Sequence, residues 1–249
     1  MNTVEKNYLH GDMVIKRIRD KCAPYIKNDQ YVYKNCYCNI IVVLKKTDKT
    51  ITNESRKSVI NPKYAKFRGN RFEVVCMFKV FDCDYEYVRA PSCYNNDFYY
   101  EKNCIVEVEN FDPDIEHVHS TGIHYFKDVL AAYFYDLDLI DVSSPIDFSG
   151  QWILYYDDGR KMVDFNYVNG KLEGKCKKWY NNGQISCDRN YVNGKLEGNC
   201  IQWHSNGKMR TKKNYTDFIL NGECTEWNES GQIINKQNYV NGIPYFTAS

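Results

Sequence analysis

The stretch GKCKKWYNNGQISCDRNYVNGKLE, residues 174–197, decides the fold, because the chain repeats it with variation four times at a spacing of 24 residues. The copies are GQWILYYDDGRKMVDFNYVNGKLE from Gly150, the quoted segment from Gly174, GNCIQWHSNGKMRTKKNYTDFILN from Gly198 and GECTEWNESGQIINKQNYVNGIPY from Gly222. Self-similarity at a fixed period of this length signals a repeat architecture in which each unit packs only on its neighbours.

Each copy carries two turn words. The first is Asp158-Gly159, Asn182-Gly183, Asn206-Gly207 or Ser230-Gly231; the second is Asn169-Gly170, Asn193-Gly194 or Asn241-Gly242. Asn-Gly and Asp-Gly tolerate the positive φ angles of type I′ hairpin turns, so both words are read as such turns. Two turns per period leave two strands, and the array is expected to be an antiparallel meander of about eight strands. Tyr155, Trp179, Trp203 and Trp227 on the first strands, and Tyr167, Tyr191, Tyr215 and Tyr239 on the second, are expected to form an apolar spine along one sheet face. Cys176, Cys200 and Cys224 recur with the same period. Equivalent strands are separated by one other strand, about 9.6 Å at ~4.8 Å per strand. A disulfide needs Cα atoms within about 7 Å, so these thiols are expected to pack rather than bond.

The period fails once. Asp217-Phe218 stands where the third repeat should have Asn-Gly, and the sequence predicts a longer turn or one of another type there. Just before it lie Lys208, Arg210, Lys212 and Lys213, the one local basic cluster. These four with Asp217 and Phe218 form the candidate binding site of the array.

Composition narrows the function classes. The chain has 33 basic and 32 acidic side chains, so its overall field attracts neither nucleic acid nor an anionic membrane strongly. No nucleic-acid partner is expected. The first 20 residues are charged throughout and lack the apolar core of a signal peptide, and no run approaches the ~18 apolar residues of a membrane span. A soluble protein that is not secreted is expected. Eleven cysteines, an odd number, are expected to be mostly reduced.

The first 149 residues read as a small α+β domain, separate from the repeats at 150–249. Met13, Val14, Ile15 and Ile18 give a helical pattern ended by Pro24. Tyr31–Leu44, Arg71–Phe81 and Cys104–Val108 read as strands, Thr50–Asn61 as a polar loop, and Lys127–Tyr135 as a helix expected to pack on the first hairpin of the array. Residues 137–149 and 244–249 are available to cap the ends of the array. His117, His119 and His124 are the candidate metal ligands, with Asp112, Asp114 and Glu116 nearby, although the spacing matches no specific metal motif, and His124 is also a candidate binding residue of this domain. Cys36 and Cys38 are read as alternating onto one strand face as small buried side chains. No phosphate loop, no G-x-S-x-G word and no HExxH word is present, and no cofactor is expected.

Two words in this domain, Tyr64-Ala65-Lys66-Phe67-Arg68-Gly69-Asn70 and Gly122-Ile123-His124-Tyr125-Phe126-Lys127, followed by glycine-framed repeats, resemble the MORN-repeat-containing proteins of the giant amoeba-infecting DNA viruses, the mimivirus group. The resemblance runs from about Pro62 to the C-terminus. It implies a mainly β protein, an α+β head followed by MORN-like hairpins, acting in host cytoplasm or packaged in the virion. The family usually places a cysteine three residues before the glycine of GIHYF, where this chain has His119, so no essential cysteine is implied there. The function expected is a non-enzymatic protein-interaction or scaffold role through the repeat sheet. The alternatives are a phosphoinositide or membrane-surface module and, from a loose similarity of Gly122–Tyr135 to ADP-ribosyltransferase folds, an NAD-using head. An open meander has edge strands, which leaves the oligomeric state open.

Overall fold

A computed structural model describes residues 11–80, 82–93, 97–135 and 149–245. The described chain forms two compact units. The first takes the residues up to 135 together with Leu154–Arg160, and the second takes 149–153 with 161–245. The segments 137–148 and 246–249, expected to cap the array, lie outside the described residues.

The first unit begins with helix α1 (Gly11–Cys22), which buries Val14, Ile18 and Cys22, one face at a spacing of four. Strands β1 (Tyr31–Cys36) and β2 (Ile40–Lys46) follow. The run expected as one strand is therefore two, because Tyr37–Asn39 forms a 3₁₀ turn in which Asn39 takes a φ of 56°. Cys36 ends β1 and Cys38 sits in that turn, so the two cysteines do not share a strand face. Then come β3 (Lys66–Gly69), β4 (Arg71–Lys79), β5 (Asp82–Glu86), β6 (Arg89–Pro91), β7 (Tyr99–Glu101), β8 (Ile105–Glu107), β9 (Ile123–Phe126) and helix α2 (Val129–Tyr135). All the described pairings are antiparallel. The main sheet runs β3-β9-β1-β2-β4-β5, with β8 also on β4 and β6 paired with β7 separately.

Ile41, Val42, Val43 and Leu44 of β2 are all fully buried, as a central strand covered on both faces requires. Val42 and Leu44 join Val32, Phe67, Phe72, Met77 and Tyr125 in the core, while α2 packs on β1 and α1. The tip Leu154–Arg160 is held by the segment before β3. Arg56 Nη2 donates to the Asp157 carbonyl (2.5 Å), Ile60 and Asn61 N–H groups donate to the Asp158 carbonyl (3.0 and 2.9 Å), and Tyr64 stacks on Tyr155 at 4.2 Å. The partner of this tip is thus the segment 56–66, which begins inside the expected polar loop Thr50–Asn61 and runs into the Tyr64–Asn70 word.

The second unit is a 12-stranded antiparallel sheet. Its strands are β10 (Gly150–Tyr155), whose last two residues fall in the first unit, β11 (Lys161–Val168), β12 (Lys171–Leu172), β13 (Gly174–Trp179), β14 (Ile185–Val192), β15 (Lys195–Leu196), β16 (Gly198–Trp203), β17 (Met209–Thr216), β18 (Ile219–Leu220), β19 (Gly222–Trp227), β20 (Ile233–Val240) and β21 (Ile243–Tyr245). Long strands succeed one another along the sheet, and β12, β15 and β18 fold back on the ends of β11, β14 and β17. The mainly β fold with an α+β head and a hairpin meander is as the sequence implies, with this short third strand per repeat added.

The two turn words are not equivalent. At the first, Tyr180 N–H donates to the Gln184 carbonyl and Gly183 N–H to the Tyr180 carbonyl, and only the glycine has positive φ (85°); the same geometry recurs at Gly159, Gly207 and Gly231. This is a three-residue loop, a turn closed by a left-handed glycine, and not the two-residue type I′ turn expected. The second word is type I′, with both central residues at positive φ, as at Asn193 (51°) and Gly194 (83°).

Asp217 (54°) and Phe218 (67°) keep that same type I′ turn, with Thr216 paired to Ile219. The expectation of a different turn was wrong. Phe218 is held in the glycine conformation because its N–H donates to the Leu196 carbonyl (3.1 Å), as Gly194 does to Leu172 (2.9 Å) and Gly242 to Leu220 (2.8 Å). Neighbouring repeats on both sides impose the turn. Glu173 and Glu197 add to this ladder by accepting from the N–H groups of Asn193 and Asp217.

The spine also differs from expectation. Cys176 and Trp179 are three residues apart on β13, so alternation puts them on opposite faces. The buried row consists of Cys176, Tyr191, Leu196 and Cys200, with Phe165, Leu172 and Tyr215 against it. The tryptophans at 179, 203 and 227 lie half-buried on the other face. The ten cysteines whose side chains are described form no disulfide.

Candidate functional site

The second unit carries a groove of about 360 Å³ on the face opposite the tryptophans, built by β14, β16 and β17. Its position follows from the glycine that leads each repeat. β15 pairs with β14 in the register Tyr191–Leu196, and after Gly198 (φ 72°) the register becomes Asp188–Ile201 and Cys187–Gln202. The left-handed glycine admits a bulge that shifts the strand by two residues. Alternation then brings Arg189, Tyr191, Cys200, Gln202, Thr211, Lys213 and Tyr215 onto one face, with Phe218 at the rim.

Arg189 is the central charge of this face. It lies opposite Cys176 on β13 and beside Cys200 on β16. Its Nε is buried without a hydrogen-bond partner. A buried N–H left unpaired costs about 1–3 kcal/mol, and an acceptor delivered to it recovers that. The Cys200 thiol pKa is lowered by a hydrogen bond from Cys187, and Arg189 and Lys213 act in the same direction against the burial that opposes them. Lys213 forms an ion pair with Glu226 (2.8 Å), and that bond raises its pKa. Burial raises the Tyr215 hydroxyl, which keeps it a neutral donor. The groove therefore offers an arginine whose side chain also bonds Tyr191, Cys187 and Cys200 but keeps one unpaired N–H, with phenol hydroxyls and aromatic surface around it.

The rim is apolar. Phe218 is 56% exposed, and Ile219, Val192, Val240 and Ile243 are exposed along the same edge of type I′ turns. Between them run polar links, Lys195 to Asp217 (2.6 Å) and Lys171 to Asn193 (3.0 Å).

The structure divides the candidate residues of the array. Lys213 and Phe218 line the groove. Lys212 and Arg210 are exposed and alternate onto the opposite face. Lys208 donates to the Ser230 carbonyl (2.9 Å) at the far end of β17 from Asp217, eight strand residues or roughly 27 Å away. Asp217 is tied to Lys195. Sequence reasoning missed Arg189, Tyr191 and Tyr215 as site residues, because their convergence depends on the bulge.

The three candidate histidines do not converge either. His117 lies in a loop, paired with Asp112 (3.0 Å), and that carboxylate raises its pKa. His119 pairs with Asp157 (2.7 Å). His124 in β9 donates from Nε2 to the Val118 carbonyl (2.8 Å), and burial followed by Lys66 pushes its pKa down to about 4. Among the described residues no three His, Cys, Asp or Glu side chains come together as a metal site. No helix of the described residues is long and apolar enough to cross a membrane.

Comparison with protein families places these units. Residues 172–193, 196–217 and 220–241 match the MORN repeat variant, so the array is one of MORN repeats. Each matched unit starts at the leucine of the short strand, and the first of the four periods falls outside the match. Residues 21–132 match a family of unknown function (DUF5758). No curated protein matches the sequence. MORN repeats indicate a protein- or membrane-interaction module.

Proposed function

We propose that the chain is a protein-interaction or scaffold protein that binds a partner polypeptide in the groove of the second and third repeats. The observation that carries this reading is the buried, unpartnered Arg189 Nε on a floor flanked by Tyr191 and Tyr215, under the exposed ring of Phe218. Tyrosine and arginine are the residues that most often anchor protein interfaces, and an exposed aromatic at a strained backbone position has no packing reason to be there. The chemistry favours an extended segment that presents a carboxylate or carbonyl to Arg189 and an apolar side chain to Phe218. Lys208, Arg210 and Lys212, which would serve an anionic lipid surface, lie outside this groove, and the protein reading is preferred for that reason. The GIHYF resemblance supports a giant-virus origin and action in host cytoplasm or in the virion.

The test is binding of the full chain to a displayed peptide library, compared with Arg189→Met and Phe218→Ser. Enriched acidic-apolar peptides that lose at least tenfold in affinity with both variants support the reading. Peptides that bind all three proteins equally, or retention of the protein on phosphoinositide vesicles without any peptide enrichment, overturn it.

A further inference from the structure

The cysteines of the array are not alike, although three of them recur with the period. Cys176 lies opposite Arg189, Cys200 opposite Lys213 and Cys224 opposite Gln237. Carrying the Asp188–Ile201 and Lys212–Thr225 registers on by one residue sets Arg189 against Cys200 and Lys213 against Cys224. One row thus runs Cys176, Arg189, Cys200, Lys213, Cys224, Gln237 across the sheet, and of the three thiols only Cys200 has a cation on both sides. We propose that Cys200 is an oxidation site for small hydroperoxides, its sulfur attacking the peroxide while Arg189 stabilises the departing oxygen.

Charge singles out this thiol. The Cys187 thiol hydrogen-bonds to it, and Arg189 bonds both sulfurs. That bond from Cys187, with Arg189 and Lys213 on either side, outweighs burial and lowers the Cys200 pKa to about 6. The same bond, followed by burial, pushes Cys187 up. Burial raises Cys176 and Cys224, which face one cation each, and Asp164 and Asp188 add to the rise at the first and Glu226 at the second. Glu226 also pairs with Lys213 (2.8 Å), and Lys178, opposite Cys187, holds its ammonium 5.5 Å from the Phe165 ring centroid. Tyr215 is raised by burial and stays neutral. None of the described residues lining the groove is acidic. At neutral pH Cys200 is therefore the thiolate of the set, and the thiolate is the reactive form.

Access and chemistry fit a small oxidant. Cys200 is 5% exposed but lines the groove of about 360 Å³, which admits a peroxide to its sulfur and keeps bulky electrophiles off. The sulfur attacks one peroxide oxygen, the O–O bond breaks, and the second oxygen leaves as hydroxide or alkoxide. A proton passes from the new S–OH group to that oxygen, so the products are a sulfenate and water or an alcohol. The sulfur loses two electrons and the peroxide gains them. The Arg189 Nε–H, buried and without a hydrogen-bond partner, is a donor for the charge that develops on the leaving oxygen and then for the sulfenate.

The product is a sulfenate and not a bridge to Cys187. Cys187 pairs with Gln202, so it meets Cys200 on the diagonal, two residues along the adjacent strand. A diagonal neighbour stands roughly 7–8 Å away between Cα atoms, whereas a disulfide formed without backbone movement needs about 7 Å or less. The oxidised sulfur is held instead by Arg189 and the Cys187 thiol. The proposal does not depend on a polypeptide in the groove, because every group it uses belongs to the sheet itself.

The experiment treats the full, reduced chain with hydrogen peroxide and a 1,3-dione that traps sulfenic acids, between pH 5 and 9, and follows each cysteine by peptide mass spectrometry. Cys176 and Cys224 in the same molecule control for burial, and the exposed Cys104 for access. At pH 7 the trapped adduct should form at Cys200 at least tenfold faster than at Cys176 or Cys224, and faster than at Cys104. The Cys200 rate should level off above about pH 7, where its thiolate is fully formed. Arg189→Met should slow it at least tenfold. If that variant does not fold, the comparison among the thiols of the unaltered protein decides. Equal rates at the three periodic cysteines, Cys104 reacting first, a Cys200 rate still rising through pH 9, or a Cys187–Cys200 disulfide in place of the adduct overturns the proposal.

Discussion

Substituting Phe218 separates the backbone cost of its turn from the packing of its ring. The residue has φ 67° in a type I′ turn that Asn-Gly fills in other repeats. A left-handed conformation costs an L-residue about 1–2 kcal/mol, while glycine adopts it freely but gives up roughly 0.5–1 kcal/mol through the greater freedom of its unfolded chain. Phe218→Ala and Phe218→Gly both remove the ring, so their difference isolates the backbone. Glycine should be the more stable of the two by about 0.5–1 kcal/mol. The assay is urea unfolding followed by tryptophan fluorescence. All four tryptophans lie in the array at 152, 179, 203 and 227, so the signal reports that unit. Equal stability of the two variants, or a more stable alanine, would mean that the turn relaxes to another conformation and that the Leu196 carbonyl, which accepts from the residue 218 N–H, does not impose it.

Three further outcomes follow from the first unit. Gly159→Ala would place a Cβ 2.0 Å from the Asn61 carbonyl oxygen at a φ of 86°, and should destabilise this unit by at least about 3 kcal/mol, read as a lowered calorimetric transition. Arg68→Lys should cost a similar ~3 kcal/mol, because one ammonium cannot span four carbonyls, and hydrogen exchange should speed up first in residues 112–121. Glu54 is bound by Lys127, Lys46 and the Tyr125 hydroxyl, which together outweigh burial and lower its pKa. Its stabilisation is present above the ordinary glutamate range and is lost as pH falls through the lowered value. Glu54→Gln should therefore flatten the acid side of the unit's stability profile, and a profile unchanged from the parent would contradict the assignment.

Much of the fold is legible in the sequence because the repeat encodes it locally. Alternation, glycine and the 24-residue period give the meander, and the apolar Met13, Val14, Ile15 and Ile18 give α1, of which Val14 and Ile18 are buried together with Cys22. The turn types are less legible, since Asn182-Gly183 and Asn193-Gly194 are the same dipeptide and differ only in how the flanking strands pair. Phe218 shows the same limit from the other side: hydrogen bonds to adjacent repeats override the preference of the residue. The groove was hidden by two-residue register shifts. Had β15 and β16 continued in one register from Tyr191–Leu196, Arg189 would face Gly198 and not Cys200.

The central claim, that a partner polypeptide occupies the groove, is tested most directly by placing a photo-cross-linking residue in the full chain at Phe218 and, separately, at Arg210. Both positions are exposed, but only Phe218 lines the groove. A cross-link to a partner protein from 218, absent from 210 and abolished by Arg189→Met, is the predicted result. Cross-linking that is equal at the two positions, or that survives Arg189→Met, would contradict it.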